Sequence, residues 1–508
     1  MIKNYSFALK LAMALFSVIT LQPANAQVSK ERPNIILIYA DDLGYGDVSA
    51  YGATKIQTPN LDRLAESGTR FTNAHSTSAT CTPSRFALIT GNYPWRQKGT
   101  GVLPGDAKLI VPTNKASLPK IFKQAGYQTA VVGKWHLGLG NQVEKNWNED
   151  VKPGPNEVGF DFSFIFPATA DRVPTVFMEN HRVVGLDPSD PIRVDYQKKI
   201  GNDPTGKENP ELLKMKASPN HGHNNTIING IGRIGFMEGG TKARWVDEEV
   251  STTFLHVAQN FITENQKNPF FLFFSLTEPH VPRMPATFFK GKSALGYRGD
   301  AILQLDWTVG QIVEQLELLG LSENTIIVFS SDNGPVIDDG YADESVEKSV
   351  DHQAAGLFRG GKYSNFEGGT RVPFIVSGKG IQKNNVSDAL FSQIDLIASF
   401  AEMLGQEKPK DAKDSEKLFS TLQGIDKKGR SIYVQHAYSL ALIKDNWKYI
   451  APSNGAAYNR LTNTELGNSK EAQLYNLKDD QGEKVNLASK YPEKVNELQD
   501  LLEKEKNK

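Results

Sequence analysis

Cys81 is the sole cysteine of the 508-residue chain, so it has no intramolecular disulfide partner and its thiol calls for another use. It opens the pentapeptide Cys81-Thr82-Pro83-Ser84-Arg85. Pro83 suits a first helical turn, Arg85-Phe86-Ala87-Leu88 continue as helix formers and Gly91 supplies a stop. A reactive group at such a helix start faces free backbone N–H groups that favour an anion. Asp41, Asp42, Asp332 and Asn333 offer only oxygen ligands, a set suited to Ca2+ or Mg2+ rather than zinc. Lys134, His136, His280 and Lys362 add cations and proton carriers. Taken singly these are weak signals, because paired aspartates often make a solvated loop and Asn-Gly a tight turn. Taken together they describe attack on an anionic centre held by a hard Lewis acid and a cationic pocket.

Residues so far apart in the chain must be gathered by the fold. Short, continuous apolar runs read as strands buried on both faces, the pattern of a parallel sheet. Ile35-Ile36-Leu37-Ile38-Tyr39-Ala40 runs into Asp41-Asp42, and Thr129-Ala130-Val131-Val132 runs into Gly133-Lys134-Trp135-His136. Phe270 to Leu276 runs into Glu278-Pro279-His280, and Thr325-Ile326-Ile327-Val328-Phe329 into Asp332-Asn333-Gly334. Each strand hands over to ionisable or amide side chains at its carboxyl end, where the ligand crevice of an open α/β sheet lies. Helical spacing recurs at Leu61, Leu64 and Ala65, at Phe254 to Ile262 and at Ile302 to Leu316. Alternating strands and helices predict an α/β body through residue 405. A lysine-rich linker then begins at Gln406, strand-like pieces follow around 432–435 and 447–450, and an amphipathic helix starts at Pro492. The expected organisation is a segment 1–26, a catalytic domain 27–405 and a smaller α+β unit 406–508.

These motifs resemble the type I, formylglycine-dependent sulfatase family of the alkaline phosphatase superfamily. The resemblance rests on Pro33-Asn34-Ile35 leading to Asp41-Asp42-Leu43-Gly44-Tyr45-Gly46-Asp47, then on Thr58-Pro59-Asn60-Leu61-Asp62 and Cys81-Thr82-Pro83-Ser84-Arg85. It continues through Gly133-Lys134-Trp135-His136-Leu137-Gly138, Ser331-Asp332-Asn333-Gly334 and Lys362 followed by Glu367-Gly368-Gly369-Thr370-Arg371-Val372-Pro373, all in the family's order. It implies that a maturation enzyme converts Cys81 to 3-oxoalanine (formylglycine). One hydroxyl of the hydrated aldehyde would attack sulfur, and the second would let sulfate leave again. It also implies calcium, with magnesium as second choice, on Asp41, Asp42, Asp332, Asn333 and the modified residue 81. Arg85, Lys134, His136, His280 and Lys362 would line the sulfate pocket, with the general acid open between His280 and Lys362. The implied fold is an α/β/α sandwich around a mixed, mainly parallel sheet, plus a C-terminal domain carrying an antiparallel sheet.

Composition narrows the surroundings. Lys3 and Lys10 precede an apolar run from Leu11 to Ile19, and Ala24-Asn25-Ala26 is a small-x-small cleavage site. That is the layout of a secretory signal peptide, too short for a membrane span. The sequence therefore predicts an exported, periplasmic or secreted protein without a lipid anchor. A formal charge of −1 gives no global attraction for nucleic acid or anionic membrane. The expected substrates are sulfated oligo- or polysaccharides, either algal (ulvan, carrageenan) or glycosaminoglycan fragments. Arg172, the run His221-Gly222-His223-Asn224-Asn225 and Arg283 are candidate sugar contacts. Two alternatives share the scaffold: a phosphodiesterase or phosphonate monoester hydrolase, and a non-catalytic glycan binder.

Overall fold

The computed structural model describes residues 32–218 and 221–508, and the predicted signal segment 1–26 lies outside them. Residues Pro33–Lys508 form one compact unit. Its frame is a ten-stranded sheet. In chain order the strands are β1 (Asn34–Ala40), β2 (Gly68–Phe71), β3 (Gln128–Lys134), β4 (Phe162–Phe166), β5 (Met178–Glu179) and β6 (Arg182–Val183). They continue with β7 (Phe270–Ser275), β8 (Thr325–Ser331), β9 (Phe374–Gly378) and β10 (Asn385–Ser387). The spatial order is β10-β2-β9-β8-β1-β7-β3-β4-β5-β6. Strands β8, β1, β7, β3 and β4 are mutually parallel, whereas β9 against β8 and β5 against β4 are antiparallel, which makes the sheet mixed.

The apolar runs form strands because both of their faces are covered. Ile35, Leu37, Val131, Phe271, Phe273 and Val328 point into one core with α2 (Cys81–Thr90), α3 (Leu118–Gln124) and α6 (Leu396–Met403). Their neighbours Ile36, Ile38, Val132, Leu272, Phe274 and Phe329 point into a second core with α1 (Pro59–Glu66), α4 (Val250–Glu264) and α5 (Gly296–Leu318). Alternation of Cβ direction along each strand divides the two cores, and the result is the predicted α/β/α sandwich. Beyond it, β11 (Ile432–His436), β12 (Leu440–Lys444), β13 (Trp447–Ile450) and β14 (Gln473–Asn476) make an antiparallel sheet. Leu498 and Leu502 of α7 (Pro492–Lys506) pack on that sheet in a separate cluster that also takes in Ala87 and Tyr93 of the body.

The register fixes where the polar strand ends fall. Gly133, Ser275, Tyr39 and Ser330 lie in one row across β3, β7, β1 and β8. At the ~4.8 Å spacing of neighbouring strands, the residues that follow this row are confined to a strip roughly 15 Å wide. Residues 167–249, between β4 and α4, include β5, β6, further short strand pieces and the single turns Pro210–Leu212 and Asp247–Glu249. No helix among the described residues is long and apolar enough to cross a membrane.

Candidate active site

Cys81 is the first residue of α2, with Thr80 at the N-cap making no side-chain cap, and the helix stops at Gly91 in the left-handed conformation (φ 67°). The thiol is 2% exposed, and burial raises its pKa. His136 Nδ1 lies 3.3 Å from Cys81 Sγ. Its Nε2 is 2.8 Å from the Leu103 carbonyl, so Nε2–H donates there and the Nδ1 lone pair faces residue 81. Burial, then Lys134 and Arg172, push His136 well below the usual histidine range, so the ring is neutral. Asp42 (φ 63°) and His136 (φ 54°) both occupy the left-handed region, a strained conformation that collects at functional sites.

Arg85 sits one turn into α2 and reaches the end of β8. Its Nε and Nη2 are 2.9 and 2.8 Å from Asp332 Oδ2, and its Nη1 donates to Ser275 Oγ at 2.5 Å and to the Lys134 carbonyl at 3.3 Å. The guanidinium also lies over the Tyr39 ring at 5.3 Å. Lys134 Nζ is 2.5 Å from Asp41 Oδ2. Lys362 Nζ is held between Asp42 Oδ2 (2.8 Å) and Asp339 Oδ2 (2.9 Å). Although burial opposes its charge, Asp339 and Asp42 hold Lys362 well above the usual lysine range. His280 Nδ1 donates to the Val281 carbonyl at 2.7 Å while Nε2 stands 3.8 Å from Asp42 Oδ2. Burial followed by Lys362 and Lys134 keeps this ring neutral too.

The acidic cluster carries unpaired buried oxygens of the kind a metal ion would satisfy. Asp41 Oδ1 and Asn333 Oδ1 are buried and have no hydrogen-bond donor. Asn333 Nδ2 donates to Asp42 Oδ1 at 2.7 Å, which turns its oxygen the other way. Ligand atoms of Asp41, Asp42 and His280 all lie within 4.8 Å of one another. Asp332 is not one of that trio: Arg85 holds its Oδ2, and its Oδ1 is 3.3 Å from the Asp42 amide. Burial, then Asp332, raise Asp41 well above the usual carboxylate range, a penalty that a cation would relieve. The donors are carboxylate and amide oxygens, with one imidazole nearby, and they fit a hard divalent ion.

All the expected site residues are therefore gathered at one end of the sheet. Arg172 lies near enough for its charge to act on His136, with its Nη1 on Asp171 (2.9 and 3.0 Å) and Thr169 (2.6 Å). His223 Nε2 is 3.0 Å from Asp171 Oδ2, leaving its buried Nδ1 without a partner. Arg283 does not belong with them. It is buried and bonded to the carbonyls of Pro279, Val336 and Ile337 and to Asp343, so its fork braces loops. Asp339, Ser275, Tyr39 and Asp171 touch the site side chains and were not expected from sequence. Only Asp339 left a trace, as part of the pair Asp338-Asp339 that follows β8 much as Asp41-Asp42 follows β1. A cleft of about 930 Å³ bordered by Tyr45, Phe358, Asp388 and Asn446 contains none of the expected catalytic or metal residues.

A three-layer α/β sandwich with a cysteine-headed helix, a buried acidic cluster and three converging cations is the arrangement of the sulfatases, and the chain belongs to that family. The sulfatase family model matches residues 33–406, and the protein is a sulfuric ester hydrolase. It is 53% identical to an N-acetylgalactosamine-6-O-sulfatase of Bacteroides thetaiotaomicron over 490 residues, covering 96% of this chain and 95% of the relative. It is 30% identical to human steryl-sulfatase over 462 residues, covering 82% of this chain and 74% of that one. A solved structure from work on the metabolism of multiple glycosaminoglycans by B. thetaiotaomicron superposes with a TM-score of 0.92. That structure is 53% identical and the match covers 94% of this chain and 100% of that one.

Proposed function

We propose that the protein hydrolyses the 6-O-sulfate ester of N-acetylgalactosamine units in glycosaminoglycan fragments, using a formylglycine made from Cys81 and a bound calcium ion. Of the substrates expected from sequence, the glycosaminoglycan branch is favoured by the 53% relative, which spans nearly the whole chain. The observation that carries the chemistry is the position of Cys81: first in its helix, 3.3 Å from a neutral imidazole and within a ring of Arg85, Lys134 and Lys362. The hydrated aldehyde of residue 81 would supply the attacking hydroxyl. Calcium on Asp41, Asp42, Asp332 and Asn333 would supply Lewis acidity toward that hydroxyl and the sulfate oxygens.

The chain's own groups then have separable tasks. Lys134, Lys362 and the free N–H groups at the start of α2 hold the sulfate oxygens. Arg85 fixes Asp332 and the floor beneath residue 81. The His136 lone pair is placed to take a proton from residue 81. Lys362, charged and beside Asp42, has a proton to give to the departing sugar oxygen, whereas His280 is neutral and its Nδ1–H is tied to Val281. Arg172, with Asp171 and His223 behind it, faces the pocket as a contact for the sugar. An exported, periplasmic setting agrees with the leader-like first 26 residues.

The test combines a peptide mass spectrum of residues 71–85, from protein made in a host able to modify it, with turnover of GalNAc-6-sulfate against its 4-sulfated isomer. The expected result is the lighter aldehyde or its hydrate at residue 81 and release of sulfate from the 6-position alone. Cys81→Ala should abolish turnover while leaving the fold intact. An unmodified thiol in active protein would remove the proposed nucleophile, and preference for phosphate diesters would transfer the protein to the alternative chemistry.

A further inference from the structure

The C-terminal sheet contributes a buried ion cluster whose hydrogen bonds run into the candidate site. Lys448 of β13 is fully buried, with Nζ 2.9 Å from Glu367 Oε1 and 3.1 Å from Glu483 Oε1. Glu483 Oε2 accepts the Glu367 amide at 2.5 Å, and Arg371 Nη1 is 3.1 Å from Glu367 Oε2. Glu367 thus has its amide and both carboxylate oxygens engaged. Burial raises its pKa, but Lys448, His75 and Arg371 outweigh that and draw it down to about 2. Burial raises Glu483 to about 7.

Glu367 begins the single turn Glu367–Gly369, and this turn is where two catalytic loops are tied. The Gly369 carbonyl accepts the Gly334 amide at 2.9 Å, next to Asn333. The Gly368 amide donates to the Arg359 carbonyl at 2.8 Å, at the start of the loop that ends in Lys362. From that loop Lys362 N donates to the Pro335 carbonyl (2.8 Å) and Tyr363 N to the Ala79 carbonyl (2.7 Å), two residues before Cys81. The backbones touch so closely that a Cβ on Gly334 would stand 1.7 Å from the Gly368 oxygen. A shift of the Glu367 turn therefore moves Asn333 and Lys362 with it.

We infer that Lys448 and Glu483 are positioning residues for sulfate-ester hydrolysis, clamping the Glu367 turn so that Asn333 and Lys362 keep their places. The inference rests on the proposed roles of those two residues. With Lys448 gone, Glu367 Oε1 and Glu483 Oε1 lose the ammonium that bridges them, and the turn loses its tie to β13.

The test compares Lys448→Met, Lys448→Arg and Glu483→Ala, each confirmed to carry the modified residue 81. Turnover is measured on a sugar 6-sulfate and on an aryl sulfate, and calcium affinity by titration calorimetry. An aryl leaving group needs little protonation, so a displaced Lys362 slows the sugar ester more. The expected result for Lys448→Met is a ~10–100-fold lower kcat on the sugar ester, a smaller loss on the aryl sulfate, weaker calcium binding and partial rescue in Lys448→Arg. A cluster that only stabilises would lower the melting temperature and leave kcat and calcium affinity at parent values below it, which would overturn the inference. If Lys448→Met does not fold, Glu483→Ala is read by the same criteria. Parent-like kinetics in the variants would leave the function proposed above standing, because that function fails only if residue 81 is unmodified or 6-sulfate is not released.

Discussion

Replacing Arg85 by methionine keeps the length of the side chain and removes the cation that faces Asp332. In the parent, two guanidinium nitrogens contact Asp332 Oδ2 at 2.8 and 2.9 Å, a third donates to Ser275, and the whole group is buried. Breaking one partner out of a buried pair costs about 3–5 kcal/mol, because the other charge stays behind without compensation. Unfolding entropy of about 2.1 cal/mol/K per residue, taken over roughly 480 residues, gives ~1 kcal/mol/K. The variant should therefore melt ~3–5 °C below the parent in excess chelator, read by calorimetry at a matched scan rate. Excess calcium should recover part of the loss, since a divalent ion beside Asp332 replaces the missing charge. Lysine should rescue less than the melting shift suggests, because one ammonium cannot serve Asp332, Ser275 and the Lys134 carbonyl together. In protein confirmed to carry the modified residue 81, turnover should fall ~10–100-fold, the usual effect of losing a group that orients a metal ligand. A variant that melts within about 1 °C of the parent in chelator would show that Asp332 does not depend on Arg85, and the account of the site floor would fail.

Other outcomes follow from the same geometry. Removing the calcium proposed above should lower the parent's melting temperature by ~4 °C when the ion had been present at about 1,000 times its dissociation constant. Asp41→Asn should abolish that difference, and an unchanged difference would place the ion elsewhere. Asp47, gripped by Arg298 at 2.7 and 2.5 Å and by His352 at 2.7 Å, is drawn down to about 2 although burial opposes this. Because its folded pKa lies below its unfolded value near 3.8, its ~2 kcal/mol is present above about pH 4 and lost as pH falls toward 2. Asp47→Asn should accordingly show a flatter decline of melting temperature between pH 4 and pH 2 than the parent, and parallel declines would refute the assignment.

Four of the sheet's ten strands, β1, β3, β7 and β8, were legible because each is a short apolar run that must be buried on both faces, and the charged cluster was legible because those runs end in charged residues. Sheet order was not. Nothing in Thr325–Phe329 says that β8 lies beside β1, or that β2 turns to join the far edge through β9. Asp339 and Ser275 escaped notice because their value is relational: one matters for reaching Lys362, the other for receiving Arg85. Arg283 misled for the converse reason. An arginine in a loop near a predicted site looks available, yet the carbonyls it binds belong to Pro279, Val336 and Ile337, which only the fold brings together. The cluster of Glu367, Lys448 and Glu483 spans more than a hundred residues of chain and carries no local pattern at all.

The chain leaves the parallel strands after Phe166, lays down the edge strands β5 and β6, and returns to the body at Val250, and the two ends of this excursion meet, with the Phe166 and Phe254 rings 5.5 Å apart. Met178, Val183, Ile228 and Met237 of this excursion are anchored in the body's core, and the same segment carries Arg172 and His223. Closure entropy grows only slowly with loop length, so the loops between these anchors can drift in size and sequence without disturbing the strands that carry Asp41, Lys134 and Asp332. With Arg172 and His223 as the proposed sugar contacts, sugar preference and sulfate chemistry are separately heritable. Grafting a relative's loops between these anchors is then a route by which one hydrolytic core can be redirected among saccharides.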